Sequence, residues 1–431
     1  MTATHVARTP VDAGLAHRTG RLTVTVRRPD GSPAAGQDLV VRQTRHAFAF
    51  GSTGFDFVPL ANDEDDDETR PPRWFGGASV STARAVAGLW FDVFTTATLP
   101  LYWAEYEAEH GRPDTARLHA AARWFVDRGC TVKGHPLLWH TLTPPWLREV
   151  PPEAVDDVVR ARIRREVHDF GDVVRTWDAI NEAVIMPVYD RQPNAVTDLA
   201  ARLGRVETVR LAFETAREAD PDLTLVLNDF NLSPAYEHLV EDCLAAGIRI
   251  DALGLQSHMH QGYWGEERTL EVLDRFARFG LPLHLTETTL LSGDLMPPDV
   301  ADLNDYVVPS WPTTPEGEQR QADELHRHYR TLVRHPAVQG ITYWGFTDDG
   351  AWLGAPSGLT RADGSPKPAY DALHDLVKGE WWLAPQHVVA SDTGQVVVDG
   401  FAGDYVVEVA GTALPMTVTA GTDTAASVQL A

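Results

Sequence analysis

The sequence predicts an α/β fold, a (β/α)8 TIM barrel with a small all-β accessory domain built from the N- and C-terminal segments. Two observations support this fold class. From His46 onward, short strand-like runs alternate with amphipathic helical stretches, which is typical of βα units around a parallel sheet. At both ends of the chain, apolar and polar residues instead alternate with a period of two, which indicates antiparallel strands.

The barrel prediction depends on eight strand candidates. Helical stretches separate them, for example residues 153–170 and 198–219, in which apolar residues recur at intervals of three and four. Eight strand and helix pairs close a barrel of this kind. The strand candidates begin at His46, Val93, Thr131, Arg175, Leu223, Asp251, Pro282 and Gly340.

The two ends of the chain predict the accessory domain. Strand-like runs begin at Arg21 and Asp38, and four more follow Pro385. Two strands alone are marginally stable, whereas six can form a sandwich, so we expect the two ends to pair into one domain. The predicted organisation is a flexible tail (1–20), accessory strands (21–45), the barrel (46–380) and the remaining accessory strands (385–431).

Composition restricts the partners. The formal net charge of −24 repels phosphate backbones and anionic lipid, so we expect neither nucleic acid nor a membrane as a partner. The sequence has no apolar run of membrane-spanning length and no signal-peptide core in residues 1–20, which predicts a cytoplasmic protein unless a leader precedes the chain. Cys130 and Cys243 lie in apolar stretches and are expected to be buried thiols. The oligomeric state is left open.

Polar and aromatic residues occur where the predicted strands end, which in a TIM barrel is the face that holds the active site. They include carboxylates, amides, imidazoles and indoles, without a Ser-His-Asp order, a glycine-rich phosphate loop or clustered metal-ligand spacing. This set favours sugar chemistry, with no cofactor and no metal. The candidates are His135, Trp139, Asn181, Glu182, Asn228, Gln256, His258, Glu287 and Trp344.

Two of these candidates, Glu182 and Glu287, are carboxylates at the fourth and seventh predicted strands. Cleavage of a glycosidic bond with retention needs two carboxyl groups about 5 to 5.5 Å apart, one protonated and one ionised. Either glutamate alone is also compatible with a structural salt bridge, a lone histidine is more often a core residue than a catalytic one, and a lone tryptophan is equally compatible with packing. The occurrence of both glutamates at opposite rims of one barrel favours the catalytic interpretation.

Seven motifs, in matching order and spacing, resemble glycoside hydrolase family 10, the family of the endo-1,4-β-xylanases. The resemblance covers nearly all of residues 48–377. The motifs are GHPLLWH at Gly134, WDAINEA at Trp177, NDFN at Asn228, DALGLQSH at Asp251, LTET at Leu285, ITYWGFTDDGAWL at Ile341 and PKPAY at Pro366.

The resemblance implies a retaining hydrolase with Glu182 as general acid/base and Glu287 as nucleophile. In this arrangement the charge of Glu287 would raise the pKa of Glu182 and keep it protonated. The resemblance further implies that Asn181 binds the sugar 2-hydroxyl. The remaining residues that it places in the same subsite are His135, Gln256 and His258, with Trp139, Trp344 and Trp352 as aromatic walls.

The chain departs from the family pattern in two places. Family xylanases carry a Glu-Asn pair and a following Lys at the end of strand two, which hold sugars on the non-reducing side of the cut. Here Thr98, Leu99 and Tyr102 occupy those positions. Thr289 stands where the family has an aspartate that partners the histidine. The connection at residues 291–316 is long enough to cover part of the cleft.

Three functional hypotheses follow. The first is a xylanase-like hydrolase that acts on xylo-oligosaccharides or related β-glycosides by double displacement. The second is a tomatinase-like hydrolase that removes sugar from a plant glycoside or saponin, for which an apolar subsite with Leu99 and Tyr102 is suited. The third is a catalytically silent carbohydrate-binding barrel, and retention of Glu182, Glu287 and Asn181 argues against it.

Overall fold

A computed structural model describes residues 4–7, 12–66 and 77–430 of the chain. It divides into two compact units, one formed by Phe50–Tyr370 and the other by Met1–Ala49 together with Asp371–Ala431. The strands, in chain order, are β1 (Thr4–Ala7), β2 (Thr19–Arg27), β3 (Asp38–His46), β4 (Ala49–Thr53), β5 (Thr96–Pro100), β6 (Thr131–His135), β7 (Val174–Asn181), β8 (Thr224–Asp229), β9 (Ala252–His258), β10 (Leu283–Thr289), β11 (Val338–Tyr343), β12 (Gln386–Val389), β13 (Gln395–Phe401), β14 (Gly403–Val409), β15 (Thr412–Val418) and β16 (Asp423–Gln429).

Helices connect the strands of the larger unit. The α-helices are α1 (Phe57–Ala61), α2 (Val80–Val93), α3 (Trp103–Tyr106), α4 (Thr115–Val126), α5 (Val155–Asp169), α6 (Ala195–Leu203), α7 (Arg205–Ala219), α8 (Pro234–Ala245), α9 (Gly265–Ala277), α10 (Pro315–Arg334) and α11 (Pro368–His374). Short 3-10 helices lie at Ala13–Arg18, Pro145–Glu149, Pro152–Ala154, Met186–Val188, Leu303–Asp305 and Trp352–Gly354, and a π-helical turn lies at Asp375–Glu380.

The larger unit is a closed barrel, which confirms the predicted fold class. Its strands pair in the order β10, β11, β4, β5, β6, β7, β8, β9. Each of the eight predicted strand runs overlaps one of these strands. A glycine allows one close approach within the barrel, because a Cβ on Gly134 of β6 would lie 2.2 Å from the ring of Trp177 on β7.

One predicted helix is divided in two. The pattern at residues 198–219 predicts a single helix, whereas α6 ends at Leu203 and α7 begins at Arg205. Gly204 separates them with φ +81°, a left-handed conformation that ends the helical geometry and that glycine adopts without a Cβ clash. The apolar periodicity continues across the break, so it gives no sign of the interruption.

The smaller unit consists of two four-stranded sheets in the orders β1-β13-β2-β16 and β12-β3-β14-β15. The two ends of the chain therefore pair with each other, as predicted. In β2 and β3 every second residue of the central run is buried. These residues join one core to which strands of both sheets contribute, including Val24, Val41, Val396 and Tyr405.

The N-terminal segment differs from its prediction. Residues 1–20 were expected to form a flexible tail, but β1 pairs in parallel with β13 and a 3-10 helix spans Ala13–Arg18. Residues 1–3 and 8–11 lie outside the described part of the chain. Neither β1 nor β12 was predicted, because four residues are too few to establish a period of two. Among the described helices, none is both long and apolar enough to cross a membrane.

Candidate active site

The structure brings all ten predicted site residues to the C-terminal ends of the barrel strands. Strand geometry explains this, because the carboxyl ends of eight parallel strands meet at one face of the barrel. His135 ends β6, Asn181 ends β7, Asn228 lies in β8, Gln256 and His258 lie in β9, Glu287 lies in β10, and Trp139, Glu182, Trp344 and Trp352 follow the ends of β6, β7 and β11.

An irregularity in strand register lies beside each glutamate. The pairing of β7 with β8 shifts between Asp178 and Ile180, just before Glu182. The pairing of β10 with β9 shifts between Leu285 and Glu287. Such bulges redirect side chains and are frequent next to active sites. A register shift in the strand thus precedes or adjoins each of the two carboxylates.

Glu182 is held in an unusual backbone conformation. Its φ is +59°, a left-handed value that is strained for a residue with a Cβ. Its backbone N–H donates to the carbonyl of Asn228 at 2.8 Å, which fixes the turn after β7. The Nε1 of Trp139 donates to Oε2 of Glu182 at 2.8 Å, and the side chain is 15% exposed. These two hydrogen bonds hold both the backbone and the side chain of Glu182.

Glu287 is buried, and its carboxylate accepts hydrogen bonds from the residues around it. The Nδ2 of Asn228 donates to its Oε1 at 2.8 Å, and Nε2 of His258 lies 3.0 Å from its Oε2. The hydroxyl of Thr286 donates to Oδ1 of Asn228 at 2.5 Å, so the Asn228 amide can only present its NH₂ group to the glutamate. This orientation stabilises a negative charge on Glu287.

A chain of amides joins the two carboxyl groups. The Nδ2 of Asn228 also donates to Oδ1 of Asn181 at 2.8 Å. The Nε2 of Gln256 donates to the same Oδ1 at 3.0 Å and to Oε1 of Glu182 at 3.3 Å. The two glutamates thus belong to one continuous hydrogen-bond network.

The two carboxyl groups have different electrostatic environments. Burial, together with the charge of Glu287, raises the pKa of Glu182 from 4.5 to about 8. His140 lies 3.9 Å from Glu182, but burial lowers the pKa of this histidine to about 3, so it is neutral and supplies no opposing charge. Glu182 is accordingly protonated near neutral pH and can act as an acid.

The histidine beside Glu287 has a hydroxyl partner. The Oγ1 of Thr289 lies 3.4 Å from Nδ1 of His258 and 3.4 Å from Nδ1 of His260. The hydroxyl also accepts the backbone N–H of Met259 at 3.2 Å. Thr289 therefore takes the place expected for an aspartate, and a neutral hydroxyl holds His258.

Aromatic rings surround the site on the side of β4, β5 and β11. Trp139 and Trp344 belong to one buried cluster with Phe55 and Tyr102, against which Trp352 packs. The ring of His135 lies 5.3 Å from that of Trp344 and 5.6 Å from that of Tyr102. Phe55 was missed in the sequence, because an aromatic residue after a strand is usually a packing residue.

A buried ion pair beneath the site was also missed. Asp178 of β7 is completely buried and lies 2.7 Å from Nζ of Lys133 and 2.6 Å from Nδ1 of His135. Although burial opposes ionisation, Lys133 and His135 lower the pKa of Asp178 below its ordinary value. The pair fixes the His135 ring from below. An acidic residue in the middle of the apolar run WDAIN was the available signal.

Metal and thiol chemistry find no support in the described residues. Within residues 12–66 and 77–430, no three or more His, Cys, Asp or Glu side chains are placed to hold a metal ion. Cys130 and Cys243 are free and buried, as predicted.

The chain matches a known family. The model of glycosyl hydrolase family 10 matches residues 83–376, which is more than half of the chain. The protein belongs to glycosyl hydrolase family 10. Among the relatives of this family-10 chain, endo-1,4-beta-xylanase B of Thermotoga neapolitana is 27% identical over 302 residues, which cover 67% of this chain and 81% of the relative. Endo-1,4-beta-xylanase 3 of Hypocrea jecorina is 25% identical over 285 residues, which cover 64% of this chain and 73% of the relative.

Solved structures support the fold. A family-10 structure from Paenibacillus barcinonensis superposes with a TM-score of 0.61 at 24% identity, and covers 77% of this chain and 95% of that one. Xylanase 10B of Thermotoga petrophila, solved with xylobiose, superposes with a TM-score of 0.60 at 21% identity, and the match covers 77% of this chain and 94% of that one. Membership of family 10 makes this protein an endo-1,4-β-xylanase-like glycoside hydrolase with a carbohydrate substrate. The tomatinase-like alternative is not favoured, since the relatives named here are xylanases.

Proposed function

We propose that the protein hydrolyses β-1,4-xylosidic bonds of xylo-oligosaccharides by double displacement with retention. The observation that carries this proposal is the pair formed by Glu182 and Glu287 in one hydrogen-bond network, with the pKa of Glu182 raised to about 8. The retaining route requires one protonated and one ionised carboxyl group about 5 to 5.5 Å apart. The names of the relatives support xylan-derived substrates.

In the first step, a carboxylate oxygen of Glu287 attacks the anomeric carbon of the sugar. The glycosidic C–O bond breaks, and the proton of Glu182 passes to the departing oxygen, so the leaving sugar departs as an alcohol. An ester now joins Glu287 to the glycone. Because this ester carries no charge, one of the causes that raise the pKa of Glu182 disappears.

In the second step, the ionised Glu182 takes a proton from water while that water attacks the same carbon. The ester bond breaks, Glu287 regains its charge, and the sugar leaves with its original configuration. Asn181 and Gln256 both donate to Oε1 of Glu182, which supports a role for these amides in binding the sugar 2-hydroxyl, where hydrogen bonds strengthen in the transition state.

The experiment uses aryl β-xylosides and β-glucosides, xylo-oligosaccharides and saponins as substrates for the purified protein. We expect xylo-configured substrates to be cleaved fastest, and Glu287→Gln to lose this activity. Glu182→Ala should lose activity on poor leaving groups and regain part of it with azide, with a β-configured glycosyl azide as product. The exposed Glu271→Gln on α9 serves as a charge-matched control with wild-type activity. An α-configured azide, or full activity of Glu287→Gln, would refute the proposal.

A further inference from the structure

A salt bridge joins two connections at the mouth of the barrel. Arg191 lies in the connection between β7 and α6, whereas Asp302 and Asp305 lie in the connection between β10 and α10. Nη1 and Nη2 of Arg191 donate to the two carboxylate oxygens of Asp305 at 2.6 and 2.5 Å, and its Nε lies 3.0 Å from Oδ2 of Asp302. We call these three residues the Arg191 bridge. Because one guanidinium binds one carboxylate with two hydrogen bonds and a second carboxylate as well, the bridge is stronger than a typical surface ion pair.

The Arg191 bridge spans the ends of two strands. In the order of the barrel, β8 and β9 lie between β7 and β10. The connections that follow β8 and β9 are short, at residues 230–233 and 259–264. The connections that follow β7 and β10 are longer, at residues 182–194 and 290–314. The two long connections therefore meet on the side of the barrel mouth where β8 and β9 end.

One end of the Arg191 bridge is packed towards Glu182. The ring of Tyr189, in the same connection as Arg191, lies 4.3 Å from the ring of His140. Nε2 of His140 lies 3.9 Å from Oε2 of Glu182. The connection that carries Arg191 thus begins at Glu182 in the sequence and packs against a neighbour of the same glutamate in space.

The other end of the bridge is packed towards Glu287. The ring of Tyr306, which directly follows the last residue of the bridge, lies 4.8 Å from that of Trp311. The ring of Trp311 lies 6.3 Å from that of His260, which in turn lies 5.9 Å from that of His258. Nε2 of His258 lies 3.0 Å from Oε2 of Glu287. The bridge therefore joins two connections that are linked through packed rings to the two glutamates, one to each.

A xylan chain has to extend to both sides of the glutamates. The two carboxyl groups flank the bond that is cleaved, so a chain of sugars crosses the line from Glu182 to Glu287. One side of this line belongs to β8 and β9, and the other belongs to β11 and β4–β6. On the first side the chain meets the Arg191 bridge, whichever of its two ends lies there. A short oligosaccharide can enter by its end, whereas the middle of a long polymer can enter only when the bridge opens.

We propose that the Arg191 bridge restricts the length of the substrate, so that the enzyme cleaves short xylo-oligosaccharides in preference to long xylan, with Arg191 as the residue that sets this specificity. The inference rests on the proposed function, because it specifies the length of the xylose chain that reaches the two glutamates. The three side chains are 34 to 55% exposed, and exposed ion pairs are weak enough to open part of the time. The wild type should therefore retain some activity on the polymer, and loss of the bridge should increase it.

The test compares kcat/KM on soluble polymeric xylan with kcat/KM on xylotriose. Arg191→Ala should increase the ratio of the two values about fivefold, the effect of losing an ion pair at the strong end of the surface range. A purely structural loss of activity would lower both values together and leave the ratio unchanged. Arg278→Ala is the matched control, because Arg278 is also exposed and paired with two carboxylates, Glu237 and Glu241, on the outside of the barrel. Its ratio should equal that of the wild type.

Salt and charge reversal separate the ion pair from the rest of the arginine side chain. Raising NaCl from about 0.05 M to about 0.5 M should increase the ratio for the wild type but not for Arg191→Ala, since salt screens exposed charges. Arg191→Glu should increase the ratio, and Asp305→Arg in the same chain should restore it by forming a pair of opposite charges. An unchanged ratio in folded Arg191→Ala and Arg191→Glu would overturn the inference and leave the proposed function intact. No hydrolysis of any β-xyloside would overturn the proposed function itself, and the inference with it.

Discussion

The elevated pKa of Glu182 predicts a stability that falls with pH. A carboxyl group whose pKa is higher in the folded protein holds its proton more tightly there, so stability decreases as the pH rises from the unfolded value of 4.5 to the folded value of about 8, and is constant above that. With about 1.4 kcal/mol for each pH unit, the difference between the folded and unfolded pKa values of Glu182 destabilises the fold by about 4 kcal/mol at pH 8 and by about 1 kcal/mol at pH 5.

Glu182→Gln removes this ionisation and retains a similar shape. We expect the free energy of unfolding of the variant, relative to wild type, to rise by roughly 3 to 4 kcal/mol between pH 5 and pH 8. Urea unfolding at both pH values measures this difference, and the comparison across pH cancels effects of the amide that do not depend on pH. Glu218→Gln, at a side chain 61% exposed on α7, is the control and should show no such rise. Equal differences at both pH values for Glu182→Gln would refute the reasoning.

Three further predictions follow from the site and the fold. First, kcat/KM should fall tenfold per pH unit above about pH 8 as Glu182 loses its proton, and Trp139→Phe, which removes a hydrogen bond that lowers this pKa, should move that limb of the pH profile to higher pH. Second, Thr289→Val should reduce kcat roughly fivefold by removing a hydrogen-bond partner of His258, whereas Thr289→Ser should restore it; unchanged kcat in the valine variant would contradict this role. Third, Gly204→Ala should destabilise the protein in urea by about 1 kcal/mol because of its φ of +81°, whereas Gly88→Ala within α2, with open space around the added Cβ, should not.

The barrel could be predicted from the sequence because each of its strands is a short apolar run between amphipathic helices. The same periodicity could not show the break at Gly204. The apolar residues keep their spacing of three and four on both sides of this glycine, so the pattern is that of one continuous helix. The parallel pairing of β1 with β13 was also beyond the pattern, because it joins segments nearly 400 residues apart through four residues. Short strands are determined by their partners rather than by their own sequence.

The sequence predicted which residues lie together at the C-terminal ends of the barrel strands, but only some of their contacts. Motif spacing gave the two glutamates, the amides and the histidines, since side chains at strand ends must converge in a barrel. It could not give the hydroxyl of Thr289 placed between two imidazoles, or the packing of Phe55 against Tyr102, because both depend on how loops fold over the strand ends. The sequence shows that a threonine replaces the aspartate at position 289, whereas the contacts of its hydroxyl can be seen only in the folded structure.

The proposed roles of Glu182 and Glu287 depend on the different environments of the two carboxyl groups. Glu287 faces the Asn228 amide, whose orientation Thr286 fixes, and also faces His258, so its negative charge is stabilised from two sides. Glu182 accepts one short hydrogen bond, from Trp139, and two longer ones of 3.3 Å, from Asn181 and Gln256. Burial, followed by the charge of Glu287, outweighs these hydrogen bonds and raises the pKa of Glu182 to about 8, so Glu182 carries a proton near neutral pH. In the proposed mechanism this difference assigns the acid to Glu182, because a carboxyl group that keeps its proton near neutral pH can protonate a leaving group, whereas the attacking carboxylate must be ionised.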